Sequence, residues 1–63
     1  MAIAFVFYKP EDRTLRIQFH RGTYYDYFLV PPDVGRQAEV SLAAGDAGFF
    51  RSSIRGIYPY RKL

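Results

Sequence analysis

The stretch that decides the fold is Thr14-Leu-Arg-Ile-Gln-Phe-His-Arg-Gly-Thr-Tyr-Tyr-Asp-Tyr-Phe-Leu-Val30, in which two strand-like segments flank a turn. Its first half alternates strictly, because polar residues separate Leu15, Ile17 and Phe19. Such alternation is typical of a β-strand with one buried and one solvated face. Residues 14–20 are therefore predicted to form a strand whose apolar side faces the core.

The second half, from Tyr24 to Val30, is apolar on both faces, so the register of the hairpin decides which rings are buried. A two-residue loop at residues 21–22 would set Ile17 opposite Asp26 and bury a carboxylate, which is costly. A three-residue loop at residues 21–23, with Gly22 in a left-handed conformation, avoids that cost. We therefore predict a register with Phe19 opposite Tyr25, Ile17 opposite Tyr27, and Leu15 opposite Leu29.

This register assigns Tyr25 and Tyr27 to the core and leaves an outer face of polar and aromatic side chains. The predicted outer face consists of Arg16, Gln18, His20, Tyr24, Asp26 and Phe28, with Phe5 or Phe7 from the preceding strand. Three interpretations of this face stay open. In the first, the rings of this face stack on single-stranded RNA beside Arg16. In the second, the tail of the chain covers the face, and in the third a second subunit covers it.

Turn residues divide the rest of the chain. A first strand is predicted over Ile3 to Tyr8, and residues 9–13 supply the turn that closes it. Pro31-Pro32-Asp33 ends the sheet and begins a helix predicted over about Val34 to Ala44. Its predicted core-facing side chains are Val34, Ala38, Ser41 and Leu42. Gly45 is predicted to end this helix.

Asp46 is a predicted N-cap for a second short helix that runs through Ile54 and is anchored by Phe49, Phe50 and Ile54. Gly56 ends that helix, and Pro59 leaves the tail extended or loosely docked. The predicted fold is α+β: a three-stranded antiparallel β-meander followed by two short α-helices packed on one face. The 63 residues are predicted to form a single domain.

Composition limits the class of protein. Apolar residues make up 49% of the chain, which is enough for a small core, and there is no Cys for a disulfide framework. The apolar opening Met1 to Tyr8 lacks a basic flank and is too short for a signal peptide or a membrane span. We therefore expect a folded cytoplasmic module without a membrane partner.

The net positive charge of the chain comes from its C-terminal segment. Residues 47–63 hold four Lys/Arg and no carboxylate, whereas residues 1–46 hold five Lys/Arg against six Asp/Glu. Aromatic rings lie among these cations in the segment from Tyr58 to Lys62. Cations neutralise phosphates and rings stack on bases, so this tail favours RNA or single-stranded nucleic acid as partner.

The order of motifs resembles the KTSC domain family. The motifs are Tyr8-x-Pro, Leu15 to Phe19, Gly22-x-x-Tyr25-x-Tyr27, Val30-Pro-Pro-x-Val34, Phe50-x-x-x-Ile54-Arg55 and Tyr58-Pro-Tyr-Arg61. This family has a central Tyr-x-Tyr, occurs alone in bacterial and phage proteins, and is also fused at the end of some lysyl-tRNA synthetases. The resemblance implies RNA binding through that fusion, which is an association and not a mechanism.

The chain departs from the family pattern in three places, one of which is the segment between Val34 and Phe49, about two residues longer than in the family. Family members usually show Ser-x-Gly-x-Tyr-Phe-Asn where this chain has Gly45-Asp-Ala-Gly-Phe-Phe-Arg51, and an aromatic residue where it has Gly35. If the family Ser and Asn contact a ligand, that role is altered here. If they only cap helices, Asp46 substitutes for them.

The predicted nucleic-acid site combines cations for phosphates with rings for bases. Arg51 and Arg55 are four residues apart and are expected on one side of the second helix, where they also fit a solvated helix face. Tyr58 and Tyr60 contact nucleic acid, pin the tail to the sheet, or do both. The predicted contact residues are Arg16, Tyr24, Phe28, Arg51, Arg55, Tyr58, Tyr60, Arg61 and Lys62.

No catalytic or metal constellation is visible in the sequence. His20 is the single histidine and is expected to be a surface imidazole, and no nucleophile motif surrounds Ser52 and Ser53. We therefore expect no enzyme activity, no cofactor and no metal. The alternative to nucleic-acid binding is a protein-interaction or inhibitor module of the kind that phages encode, whose outer sheet face docks on another protein or on a second copy.

Overall fold

The computed structural model describes residues 3–63, so Met1 and Ala2 of the predicted apolar opening lie outside the described residues. A single antiparallel sheet has the strand order β1-β2-β3-β4, and two helices follow its third strand. The elements are β1 (Ile3–Lys9), β2 (Thr14–Phe19), β3 (Tyr24–Tyr27), α1 (Pro32–Ala43), α2 (Gly48–Ser53) and β4 (Tyr60–Lys62). The predicted α+β meander with two helices is confirmed, and β4 adds a fourth short strand.

The β2–β3 hairpin has the predicted loop length but a different register. Leu15 pairs with Tyr27 and Ile17 with Tyr25, whereas the prediction had paired Ile17 with Tyr27. The three-residue loop is residues 20–22: the Phe19 amide donates to the Thr23 carbonyl at 2.9 Å, and Gly22 has φ +85°. The predicted pairs were therefore wrong by two residues, but the faces were right because side chains alternate with period two.

The predicted third strand was too long at its end. β3 stops at Tyr27, and Leu29 has φ +61° with 68% of its surface exposed. A left-handed residue cannot continue the extended ladder, so Leu29 does not pair with Leu15 as predicted. The chain then returns inward, since the Val30 amide donates to the Arg13 carbonyl at 2.9 Å and Val30 is fully buried.

Helix α1 begins at Pro32, the residue type favoured in a first turn, and Asp33 lies in that turn. Its buried residues are Gly35, Ala38, Ser41 and Leu42. Val34 is only partly buried, and the inward position that was not predicted is Gly35. Gly45, at φ +86°, follows the helix as predicted.

Helix α2 is shorter than predicted. It ends at Ser53, so Arg55 lies beyond it and not on the same helix face as Arg51. Ala47 occupies the N-cap position, and Asp46 lies one residue earlier. The Asp46 carboxylate still accepts the Gly48 amide at 2.9 Å, which fixes the start of the helix from one residue upstream.

The core lies between the sheet and the two helices. Its buried apolar side chains are Tyr8, Leu15, Ile17, Tyr27, Val30, Ala38, Leu42, Phe50 and Ile54. Tyr8 is anchored inside it, since its hydroxyl donates to the Val30 carbonyl at 2.6 Å. Burial raises the pKa of the Tyr8 phenol, so this hydroxyl stays protonated as a donor.

The tail docks as a strand at the β3 edge. Tyr60 pairs with Tyr27, Arg61 with Asp26 and Lys62 with Tyr25. The tail therefore does not cover the outer face, which removes one of the three interpretations of that face.

Candidate nucleic-acid interface

An open groove runs between α2 and the helix-facing side of β2, β3 and β4. Five aromatic rings contact one another along it in the order Phe19, Tyr25, Tyr60, Tyr27, Phe50, with centroid separations of 5.4, 5.7, 5.6 and 5.4 Å. All five residues line the groove, whose volume is about 1180 Å³. We call these residues the ring row.

Accessibility varies along the ring row. Tyr27 and Phe50 are buried at 5% exposure each and form the deepest part, whereas Tyr60 is 60% exposed. Phe19 and Tyr25 are partly buried. The ring surface open to a flat ligand therefore lies at Tyr60 and Tyr25. Burial raises the pKa of the Tyr27 phenol and nearby Arg55 opposes that shift, so the deep ring adds no negative charge at neutral pH.

Four cations surround the ring row. Arg21 lies in the β2–β3 loop, Arg51 on α2, Arg55 after α2 and Lys62 on β4. The ion pairs found within residues 3–63 are Lys9–Asp12 and Arg16–Asp26, and neither includes a groove cation. The charge of these four side chains is therefore available to an anionic ligand.

The groove contains one carboxylate among its described lining residues, that of Asp46 in the α1–α2 turn. His20 is exposed, as predicted, but it lines the groove and not the predicted outer face, because β2 ends at Phe19 and His20 lies in the β2–β3 loop. Among residues 3–63 no three or more His, Cys, Asp or Glu side chains are grouped to hold a metal ion.

Strand alternation divides the basic tail between two faces. Tyr60 and Lys62 pair with Tyr27 and Tyr25 and share their groove side. Arg61 pairs with Asp26 and so belongs to the outer face. The predicted tail site is therefore split, and only part of it reaches the groove.

The structure brings together four of the predicted contact residues. Arg51, Arg55, Tyr60 and Lys62 line the groove. Arg16, Tyr24 and Arg61 lie on the opposite side of the sheet, and Phe28 follows β3 on that side. Tyr58 is partly buried against the core, which favours the interpretation in which it pins the tail.

Sequence reasoning missed the contribution of Phe19, Tyr25 and Arg21 to the groove. It assigned Phe19 and Tyr25 to the core and Arg21 to a turn. The available signal was the shortness of the second helix, which leaves part of the sheet uncovered. Side chains at the hairpin end of such a sheet extend beyond the helices.

The outer face includes Phe5, Phe7, Arg16, Gln18, Tyr24, Asp26 and Arg61. Arg16 donates from Nε and Nη2 to the two Asp26 carboxylate oxygens, at 2.7 and 2.9 Å. The Arg16 guanidinium also lies 5.9 Å from the Tyr24 ring centroid, within cation–π range. These contacts already satisfy the cation that was predicted to bind phosphate on this face.

A smaller depression of about 530 Å³ on the outer face is lined by members of both ion pairs, Lys9–Asp12 and Arg16–Asp26. Hydrogen bonds from Arg16 hold the pKa of Asp26 below its usual range, while burial opposes that shift. Asp26 therefore stays ionised and neutralises Arg16. The two faces differ in charge: the four groove cations are in neither ion pair, whereas the outer face holds both ion pairs beside one further cation, Arg61.

No helix within the described part of the chain is long and apolar enough to span a membrane.

Comparison with known proteins agrees with this architecture. A crystal structure of a KTSC domain protein from Yersinia pestis superposes with a TM-score of 0.75 at 35% identity, covering 97% of this chain and 83% of that one. A lysine–tRNA ligase from Nostoc sp. is 34% identical over 56 residues, which are 89% of this chain and 10% of that protein. The chain thus spans about a tenth of the length of that relative.

The family model of the KTSC domain matches residues 1–58, which include three strands, both helices and the whole buried core. β4 lies beyond that match. The match covers most of the chain and agrees with both relatives, and the chain belongs to the KTSC domain family.

Proposed function

We propose that this domain is a non-catalytic module that binds RNA, or another single-stranded nucleic acid, in the groove between α2 and the sheet. The observation that carries the proposal is the coincidence of an accessible ring row with four unpaired cations. Phosphates bind the cations and an unpaired base stacks on the exposed part of the ring row.

Stacking is supported by the position of Tyr60. Its ring packs against the rings of Tyr25 and Tyr27, with centroid separations of 5.7 and 5.6 Å. These contacts restrain the orientation of the Tyr60 ring, while 60% of the residue's surface stays exposed. A ring that is already ordered loses little conformational entropy when a base stacks on it. A base within a duplex has both faces covered by its neighbours, so single strands are the favoured partner.

The size of the domain limits the affinity. Its extents are 26 × 23 × 20 Å, so the groove holds only a few nucleotides. Four groove cations limit the phosphate contacts to about four, and for single strands the affinity then falls with a log–log salt slope of up to about −3. We expect weak, salt-sensitive binding.

The curated relative adds an independent reason to favour RNA. A lysine–tRNA ligase carries a segment 34% identical to this chain. A basic groove in such a module suits an RNA partner, although the match covers only a tenth of that relative.

The test is a fluorescence-anisotropy titration of the purified protein against labelled single-stranded RNA, tRNA and duplex DNA at about 0.05 and 0.5 M salt. We expect micromolar binding to RNA at low salt and a loss of 100-fold or more at high salt. Absence of binding to all three at low salt, or affinity that is retained at high salt, contradicts the proposal.

A matched pair of variants locates the site. Arg51→Ala with Arg55→Ala removes two groove cations, whereas Arg13→Ala with Arg36→Ala removes two exposed cations that do not line the groove. The first double variant is expected to lose RNA affinity at least tenfold, and the second much less. Equal losses would mean that net charge, and not the groove, governs binding.

A second candidate function is supported by Phe5 and Phe7 on the outer face. Their rings are stacked at 6.4 Å and remain 46% and 45% exposed. Because Asp26 neutralises Arg16 there, two copies of this chain can bring these faces together with less repulsion than their cationic grooves would meet. Size-exclusion chromatography with light scattering tests this: a dimer at micromolar concentration that Phe7→Ser converts to monomer supports it, and a wild-type monomer rejects it.

A further inference from the structure

The position of Asp46 is unexpected in a groove lined by cations. Asp46 is the one acidic residue among the described groove-lining side chains. Its carboxylate Oδ1 accepts the Gly48 amide at 2.9 Å, and its own amide donates to the Ser41 carbonyl at 2.8 Å. Its backbone and one carboxylate oxygen are thus fixed while the residue remains exposed.

Neither ion pair found within residues 3–63 uses Asp46, although four cations line the same groove. A carboxylate that no cation neutralises repels phosphate. It therefore weakens the electrostatic part of binding in a groove that suits phosphates. Its favourable partner is the part of a nucleotide that donates hydrogen bonds, which is the edge of a base.

The four bases differ in what they offer to a carboxylate. Guanine presents two adjacent donors, N1–H and the N2 amino group, which match the two oxygens of a carboxylate. Adenine and cytosine present one amino group next to an acceptor nitrogen, and uracil presents one N–H between two carbonyls. An oxygen that already accepts one hydrogen bond keeps a second lone pair, so the Gly48 contact does not prevent this pairing.

We propose that Asp46 makes the groove selective for an unpaired guanine, whose N1–H and N2 amino group donate to the Asp46 carboxylate. This inference rests on the proposed nucleic-acid function and specifies its ligand. Base edges carry sequence information that phosphate contacts lack, so Asp46 is the residue that gives the groove its preference.

The test uses three labelled RNA pentamers, UUGUU, UUAUU and UUIUU, in anisotropy titrations at about 0.05 M salt. Inosine differs from guanosine only by the missing N2 amino group, so it isolates one of the two donors. We expect UUGUU to bind at least about fivefold more tightly than UUAUU, with UUIUU between them. Equal affinities of UUGUU and UUAUU overturn the inference and leave the proposed function intact.

The variants are Asp46→Asn and Glu11→Gln. Asp46→Asn keeps an oxygen that accepts the Gly48 amide, so the turn is retained, which circular dichroism checks. Glu11→Gln makes the same change of charge in an exposed turn that does not line the groove. Asp46→Asn is expected to abolish the preference for UUGUU without lowering the affinity for UUAUU. Glu11→Gln is expected to keep the preference for UUGUU.

A guanine preference that persists in Asp46→Asn also overturns the inference, since another residue must then recognise the base. If no pentamer binds the wild-type protein at low salt, the proposed function fails and the inference fails with it. The comparison of UUGUU with UUAUU thus separates failure of the preference from failure of binding.

Discussion

Asp26 and Arg16 lie opposite each other in β3 and β2, and the carboxylate accepts two hydrogen bonds from the guanidinium at 2.7 and 2.9 Å. The pair stands on the outer face, where Asp26 is 8% exposed. A carboxylate so buried depends on its partner for the hydrogen bonds that water would otherwise supply. This relationship links the stability of the sheet to pH.

Asp26→Asn is expected to lower the free energy of unfolding at pH 7 and to change its pH dependence. Because Arg16 lowers the pKa of Asp26 in the folded state, the pair stabilises the fold fully above the ordinary Asp pKa of about 3.9. That contribution is lost as the pH falls from there through the lowered pKa. In urea unfolding at pH 7, 5, 4 and 3, the wild type should have the higher free energy of unfolding, and its difference from Asp26→Asn should decrease below about pH 4.

The same experiment has a direct control in Asp33→Asn, which alters an exposed carboxylate in the first turn of α1. The wild type should exceed Asp33→Asn only slightly in free energy of unfolding, since an exposed charge near a helix terminus contributes about 0.3–1 kcal/mol. If the difference in free energy of unfolding between the wild type and Asp26→Asn stays constant from pH 7 to pH 3, the ionised pair does not stabilise the sheet.

Gly35→Ala is expected to destabilise the protein although Ala is the better helix former. A methyl group at Gly35 would overlap ring carbons of Tyr8, whose hydroxyl is bonded to the Val30 carbonyl and whose side chain is 2% exposed. The gain in helix propensity is about 1 kcal/mol and the cost of overpacking about 1–3 kcal/mol, so a net loss of up to about 2 kcal/mol is expected in urea unfolding.

A double-mutant cycle assigns this loss to the ring. Tyr8→Leu removes the Cε1 and Cζ atoms that the new methyl group would meet, so adding Gly35→Ala to Tyr8→Leu should cost less than adding it to the wild type. A Gly35→Ala protein more stable than the wild type would mean that α1 can move away from β1 without loss.

The faces of the sheet followed from the sequence because they depend only on alternation. The hairpin register shifted by two residues, yet Tyr25 and Tyr27 stayed on the same side as Leu15 and Ile17. The individual pairs depended on where the loop begins, and Gly22 takes its left-handed conformation in either arrangement. No local pattern at Leu29 announces its positive φ, so the length of β3 was overestimated.

The groove was less predictable because it depends on contacts between distant segments. The sequence identified the cations and rings of the tail, but the pairing of β4 with β3 decides which of them share a face. The position of α2 decides which rings of the sheet stay uncovered. Both are tertiary relationships, and a three-residue strand carries almost no pattern of its own.

Glu39→Ala is expected to weaken the edge of the sheet. The Tyr8 amide lies in the edge strand β1 and donates to Glu39 Oε2 at 3.0 Å, so the α1 side chain covers one unpaired edge donor. Loss of this hydrogen bond should cost about 1 kcal/mol in urea unfolding. Glu39→Gln keeps an acceptor oxygen and should recover most of the loss, whereas equal stability of Glu39→Ala and the wild type would show that water replaces the carboxylate.

Lys62→Ala and Arg61→Ala separate the groove from the outer face. These neighbours in β4 carry the same charge, but Lys62 lies on the groove side and Arg61 pairs with Asp26 on the other. Either substitution removes one positive charge, so any effect of net charge on RNA binding should be the same in both variants. A difference between them reports the face that nucleic acid contacts.

We expect Lys62→Ala to weaken binding of single-stranded RNA several-fold in anisotropy titrations and Arg61→Ala to change it little. The slope of log affinity against log salt should become shallower by about 0.7 for Lys62→Ala, the value for one lost phosphate contact on a single strand. The opposite order would transfer the nucleic-acid site to the outer face, where Arg16 would have to exchange Asp26 for a phosphate. Because β4 lies beyond residues 1–58 of the family match, the expected order would also mean that this strand adds binding capacity to the KTSC core.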